Sequence, residues 1–391
     1  MISVAEALGR VISLMTPVGE ETVPLAEAAG RILSQTVHAK RTQPPFPASA
    51  MDGYAVRFAA SQPGMSLNVI GESAAGLRFD GTLGPNDAVR IFTGAPVPEG
   101  ADSILIQEDA NRTGDTITVR ETRETSSYIR PAGTDFAQGD PLNAPRKLNP
   151  QDIALLASMN IAQVPVRKRP EIALIPTGNE LVNPGDTPGP DQIIASNSYG
   201  LKAMFEANGA ICRLLPIARD TRESLKTCLD QAKGCDLIVT LGGASVGDHD
   251  LVQSVATEGG MMLDFYKVAM RPGKPLMDGT LNDIPMIGLP GNPVSAMVCG
   301  QIFVLPALNA LLGLPVGAME TQQVTLAHDI GANGPREHYM RARLQDGHCT
   351  IFDRQDSSLL SVLGQANGLA VRAPNAPLAK KGETISVIVL N

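Results

Sequence analysis

Residues 171–180, EIALIPTGNE, decide how the fold is read: a short apolar run is broken at Pro176 and Gly178 and ends on a carboxylate. Such a run suits a strand buried on both faces of a parallel sheet. The pattern recurs where DLIVTL (236–241) enters GGASVGDHD (242–250), and where PMIGL (285–289) enters PGNPVSA (290–296). ICRLLPI (211–217) is a further strand candidate. Between these runs, SNSYGLKAMFEANG (196–209) and DTRESLKTCLDQAKG (220–234) have helical spacing and end in glycine. The alternation predicts a doubly wound α/β domain at 169–315, in which turns that follow strands gather along the carboxyl edge where ligands bind.

The texture differs on either side. LNVIGES, AVRIFTG, SILIQED and TITVRET, between Tyr54 and Gly139, alternate or run apolar between turn residues. They predict a β-rich domain at 46–139. Residues 1–45 read as mostly helical, because Val4, Leu8, Val11, Ile12 and Met15 recur at helical spacing up to Pro17. LNPQDIALLASMNIAQVPV (148–166) offers a short helix and a strand. Segments 1–45 and 140–168 flank the β-rich insert and are expected to form one stalk-like domain, with QPPFPASAMDGYAV (43–56) as a hinge between modules. After residue 315, QQVTLAHDI, HYMRARLQDGHCTIFD and ETISVIVLN have strand character with an Asp346-Gly347 hairpin signal. A small C-terminal β-barrel or sandwich is expected at 316–391.

Composition narrows the function classes. With 32 Lys and Arg against 40 Asp and Glu, the net charge is −8 over 391 residues, which disfavours a general electrostatic grip on nucleic acid or an anionic membrane. An anion must therefore be held by a local pocket. Five cysteines with no CxxC pair suggest neither a disulfide framework nor a zinc knuckle, and fit a reducing cytoplasm. Ile284 to Met319 carries no charge and is long enough for a membrane span, but five prolines and three amides interrupt it. A buried strand, loop and helix is the better reading.

The three glycine-bearing turns supply backbone N–H groups that can approach phosphate. The candidates on them are Glu180, Gly242, Gly243, Ser245, Asp248, His249, Asp250, Pro290, Gly291 and Pro293. Ordinary turn chemistry is the alternative for the glycines, and helix capping for Asp248, Asp250 and Asp220, which opens a DTRE capping pattern. FYKVAMRPGKPL (265–276) gathers Lys267, Arg271 and Lys274 as a candidate anion clamp, the alternative being a solvated basic face. Glu180, Asp250, Asp52 and Asp135 would repel a polyanion unless a hard divalent cation lay between them, which points to Mg²⁺ and a phosphate-bearing ligand. Residue chemistry alone goes no further than an anionic, nucleotide-bearing ligand.

Taken together, PPFPASAMDGYAV (44–56), RIFTGAPVPEGAD (90–102), GTDF (133–136), IPTGNELV (175–182), SNSYGL (196–201), GGASVGDHD (242–250), MRPGKPL (270–276) and GLPGNPVSA (288–296) resemble the molybdopterin molybdenumtransferase family, related to the gephyrin E domain. The resemblance implies insertion of molybdate into adenylylated molybdopterin with Mg²⁺ and release of AMP. It also implies an elongated, four-domain homodimer, with the α/β domain of one subunit facing the β-rich domain of the other across the site. Catalytic roles fall by resemblance on Asp52, Thr93, Asp135, Glu180, Asp250 and Lys267, and metal binding on Glu180 and Asp250. Substrate contacts fall on Asp220, Gly242, Gly243, Ser245, Arg271, Lys274, Pro290, Gly291 and Pro293. Arg271 stands where many relatives have lysine, GDHD where a GE-x-D pattern is common, and Pro47-Ala48 where an acidic or amide residue is frequent. A non-catalytic molybdopterin carrier or scaffold and a molybdopterin adenylyltransferase are the other functions the motifs allow, and SAMDGYAV argues against the latter. Transient contact with other cofactor-biosynthesis proteins is compatible with the resemblance, and spacing does not separate molybdate from tungstate.

Overall fold

The computed structural model describes residues 1–243, 251–317 and 319–390. Ser245, Asp248, His249 and Asp250 lie outside the described residues. The chain divides into two compact units, one of residues 1–21, 30–34 and 166–391, the other of residues 22–29 and 35–165.

The first unit is built on a six-stranded sheet. Its strands run in the order Ile211–Leu214, Glu171–Pro176, Leu237–Leu241, Ile284–Leu289, Pro275–Leu281 and Met261–Lys267. The first four are mutually parallel, while 275–281 is antiparallel to both of its neighbours, so the sheet is mixed rather than purely parallel. Both faces are covered, which explains the unbroken apolar runs. Ile172, Leu174, Val239 and Ile287 face the helices Asn197–Ala207 and Pro293–Leu311. Ala173, Ile175, Ile238 and Met286 face the helices Arg222–Gln231 and Leu251–Glu258.

The 293–311 helix is apolar and long enough to cross a membrane, yet its apolar window is 78% buried inside the fold, so it is a core element. It contains a π-helical turn at Gly300–Val304. Five strands, Gln322–Leu326, Glu337–Gln345, His348–Ile351, Gly368–Arg372 and Thr384–Val389, close on themselves through the 337–345/368–372 pairing and form a barrel. Asp346 and Gly347, with φ of 50° and 76°, make the two-residue turn that their sequence signals. The short strand Met270–Arg271 pairs with 337–345 and joins sheet to barrel.

Two readings of the N-terminal segment change. Only Val4–Ser13 is α-helical, capped by the Ser3 side chain, and residues 20–38 form short strands around a single 3-10 turn at Leu25–Glu27. One of these strands pairs with a residue far along the chain, Leu33 with Val166, and local periodicity carries no trace of such a partner. Val4, Leu8 and Val11 pack into the same core as Phe265, Val268 and Leu308, so this helix belongs with the α/β unit.

The second unit holds another six-stranded sheet, ordered Ser103–Ile106, Gly53–Val56, Asp87–Ile91, Ser66–Ser73, Thr116–Val119 and Ala110–Thr113. Tyr54 and Val56 pack on one face and Ala55 on the other, the period-two division of a strand between two cores. The segment 43–56, expected as a hinge between modules, lies within the second unit. It is bonded throughout into the second unit, with Gly133 N–H donating to Pro44 O at 3.0 Å, Asp135 N–H to Gln43 O at 3.1 Å, and Val97 N–H to Pro47 O at 2.9 Å. Helix Pro150–Ser158 starts from a capping box between Asn149 and Asp152.

Candidate functional site

At the carboxyl edge of the α/β sheet the strand ends are stitched to one another. Thr177 N–H donates to Leu241 O at 3.0 Å, Gly242 N–H to Leu289 O at 3.0 Å, and Gly178 N–H to Ala218 O at 3.0 Å. The turns around them enclose a cavity of about 720 Å³. Its walls include Thr177, Gly178 and Glu180 from the first turn, Gly242 and Gly243 from the second, and Pro290, Gly291, Asn292 and Pro293 from the third. Asp220 and Pro275 complete the lining together with Ser196, Asn197 and Ser198. Glycine is required at Gly242, where φ is +100° and a Cβ would lie 2.9 Å from Thr177 O. Gly291 passes close by, its added Cβ falling 3.6 Å from the Gly242 Cα. Helices 197–207 and 293–311 both begin at this cavity and bring their partial positive ends to it, although at the second Pro293 has no N–H and Val294 N–H is taken by Ser357 O at 3.0 Å.

Asp220 acts differently from a cap. Thr221 caps the 222–231 helix by accepting from Ser224 N–H, whereas Asp220 and Asn179 bond reciprocally. Asn179 N–H donates to Asp220 Oδ2 at 3.2 Å, and Asp220 N–H to Asn179 Oδ1 at 3.1 Å. Arg219 pins the same turn by donating to the carbonyls of Gly178, Asn179 and Leu181. Glu180 is exposed. Two carboxylates thus face the cavity, and none of its described lining residues is a cation. Lys267, Arg271 and Lys274 are not on its walls. Lys267 is half-buried, with Nζ 5.5 Å from the Tyr266 ring centre, and Arg271 and Lys274 are exposed. Arg271 sits across from His338, and burial first, then the charges of Arg271, Arg341 and Arg336, pushes that imidazole down to about 4.

A C-terminal wall escapes sequence reading. Ser358 lines the cavity, and Asn292 Nδ2 donates to Ser357 Oγ at 3.1 Å. Buried Arg341 holds this loop by donating to Asp356 O at 2.7 Å and to Gln355 Oε1 at 3.2 Å. The polar run Gln355-Asp356-Ser357-Ser358 is the signal that could have marked it. Asn197 was missed too, and its Nδ2 fixes the third turn through Gly291 O at 2.7 Å.

In the second unit the PPFPASAMDG, TGAPVP and GTDF segments come together. Asp52 Oδ1 accepts both the Thr93 amide at 2.7 Å and the Thr93 hydroxyl at 2.8 Å. These bonds, the amide's foremost, hold the Asp52 carboxyl below its ordinary range, and the Arg90 charge lowers it further. Arg90 rests 4.7 Å from the Phe92 ring centre and 5.2 Å from that of Tyr54. Beside Thr93, a cavity of about 620 Å³ is lined by Gly94, Asp135 and Thr134, by Gln43 through Phe46, and by Arg41 and Arg130.

Comparison with known proteins identifies the family. Residues 2–160 match the MoeA N-terminal region (domains I and II), 173–310 a probable molybdopterin-binding domain, and 323–390 the MoeA C-terminal region (domain IV). A molybdopterin molybdenumtransferase of Nostoc sp. is 35% identical over 388 residues, covering 95% of this chain and 88% of the relative. Molybdopterin molybdenumtransferase 2 of Mycobacterium tuberculosis is 36% identical over 383 residues, covering 94% and 95%. Two solved structures of the molybdopterin biosynthesis MoeA protein from Pyrococcus horikoshii superpose with TM-scores of 0.85 and 0.86 at 28% and 25% identity, over all of this chain and 99% and 100% of theirs. The chain therefore belongs to the molybdopterin molybdenumtransferase (MoeA) family.

Proposed function

We propose that the chain inserts molybdate into adenylylated molybdopterin, completing the molybdenum cofactor as the phosphoanhydride is hydrolysed and AMP leaves. The observation that carries this reading is the sheet-edge cavity, which combines glycine-lined turns and two helix N-termini with Glu180 and Asp220. Backbone N–H groups suit phosphate oxygens, while the carboxylates would repel them without a counter-charge. An all-oxygen donor set of this kind fits Mg²⁺, which binds through one or two carboxylates plus substrate phosphate. Glu180 and Asp220 would hold it, with Asp250 as the further ligand expected from the family resemblance. Bound there, Mg²⁺ supplies charge neutralisation at the phosphoanhydride.

The chain's own residues then have separable tasks. Asn179 and Arg219 fix the turn that carries Glu180, and Asn197 fixes Gly291, so the walls are set before substrate arrives. Pro290 and Pro293 stiffen the third turn. Asp52 stays ionised in moderate acid and keeps Thr93 oriented. Lys267, Arg271 and Lys274 are proposed to meet molybdate or phosphate as the ligand enters. A cytoplasmic homodimer is the proposed form of the protein.

The test is to supply purified protein with adenylylated molybdopterin, molybdate and Mg²⁺, and to measure AMP together with activation of an apo-molybdoenzyme. Both are expected, and both should fall by about 10²-fold or more in Glu180→Gln, the scale of losing a charge-stabilising group. Tight pterin binding without AMP release would identify a carrier and overturn the enzymatic reading.

A further inference from the structure

The cavity of the second unit holds two cations that the mechanism above does not use. Arg41 and Arg130 both line it, both are exposed, and neither guanidinium has a hydrogen bond, ion pair or ring contact among the described residues. Arg10, Arg31, Arg146, Arg213 and Arg222, by contrast, find carboxylates. The backbone around the pair is held firmly. Arg130 lies on a strand paired with Ala48, and Gln43 is bridged to Phe136. Gly94 N–H donates to Ser49 O at 2.8 Å, next to the Thr93 that Asp52 anchors. Pro44, Pro45 and Phe46 form a stiff, weakly polar wall, which strengthens the field of nearby charges.

We propose that this cavity is an oxyanion site in which Arg41 and Arg130 hold a tetrahedral oxyanion. Guanidinium forks match such groups bidentately, and no internal partner competes for them. Asp135 is the only carboxylate among the described residues of the cavity wall, so the three charges sum to one positive charge. The site therefore keeps a net positive charge for an incoming oxyanion. This deepens the proposed function and rests on it for the occupant, since adenylylated molybdopterin carries a pyrophosphate and molybdate is the other tetrahedral oxyanion of the reaction.

The test is titration calorimetry of the full chain with pyrophosphate and, separately, with molybdate. The wild-type protein is expected to bind at least one of them. Arg41→Ala and Arg130→Ala should each weaken that anion at least tenfold, and Arg41→Gln should do the same if the variant with alanine proves poorly folded. Asp135→Asn should tighten binding, an opposite effect that a merely structural role would not produce. Loss confined to pyrophosphate assigns the site to the phosphoryl groups, and loss confined to molybdate assigns it to the metal oxyanion. No binding by the wild-type protein, or unchanged affinity for both anions in the two arginine variants, overturns the proposal. Because the readout is binding without turnover, a chain that binds here yet releases no AMP would refute the enzymatic reading alone.

Discussion

Asp278 is fully buried on the 275–281 strand, and among the described residues only the Gly279 amide, in poor geometry, approaches its carboxyl. Its cross-strand neighbours are Phe265 and Ile287, and the nearby charges are Asp264 and the Arg10 that pairs with it at 3.3 Å. Burial first, and the Asp264 charge second, pushes the Asp278 carboxyl up to about 8. The folded chain thus keeps a proton that the unfolded chain releases near the ordinary aspartate value of 3.8. Stability contributed by that proton is complete below 3.8 and drains away as pH rises to about 8, at up to about 1.4 kcal/mol per pH unit. Asp278→Asn is expected to remove this slope, so its advantage over the wild type should be larger at pH 8 than at pH 5. Urea unfolding midpoints at the two values check it, and an equal difference at both would contradict it.

Among the elements, the turn after the 237–241 strand leaves the least room for change. Alanine at Gly242 would strain a backbone at φ +100° and press on Thr177 O, at a cost of about 1–3 kcal/mol. Gly242→Ala should therefore lower the melting temperature and lose pterin binding together, with binding followed by pterin fluorescence. Retained affinity at a lowered melting temperature would separate the turn from the ligand.

Turns of this kind were legible in the sequence because a buried parallel strand is a continuous apolar run and the residues that follow it are few and specialised. The Asp346-Gly347 hairpin was legible for the same local reason. The strands of residues 20–38 were not, since their pairing is settled by segments more than a hundred residues away. Capping stayed open as the alternative for Asp220 because DTRE offers two capping registers, and only the Asn179 partner across the turn decides between them. Arg341 and Asp278 gave no local signal, as their roles depend on what the fold places beside them.

On the scale of the molecule, the two compact units each hold a cavity with its own chemistry, carboxylates and backbone N–H groups in one and arginines in the other. All five thiols, Cys212, Cys228, Cys235, Cys299 and Cys349, are buried without disulfides in the α/β and barrel cores, and burial pushes Cys212 up to about 12 and Cys349 to about 11. An alkylating reagent near neutral pH should leave the native chain almost unlabelled and modify all five sites once it opens, a contrast that mass spectrometry counts directly. The buried sulfurs thus serve as a clock: the rate at which they become reactive reports how often the 171–391 portion breathes, with no dye or engineered probe.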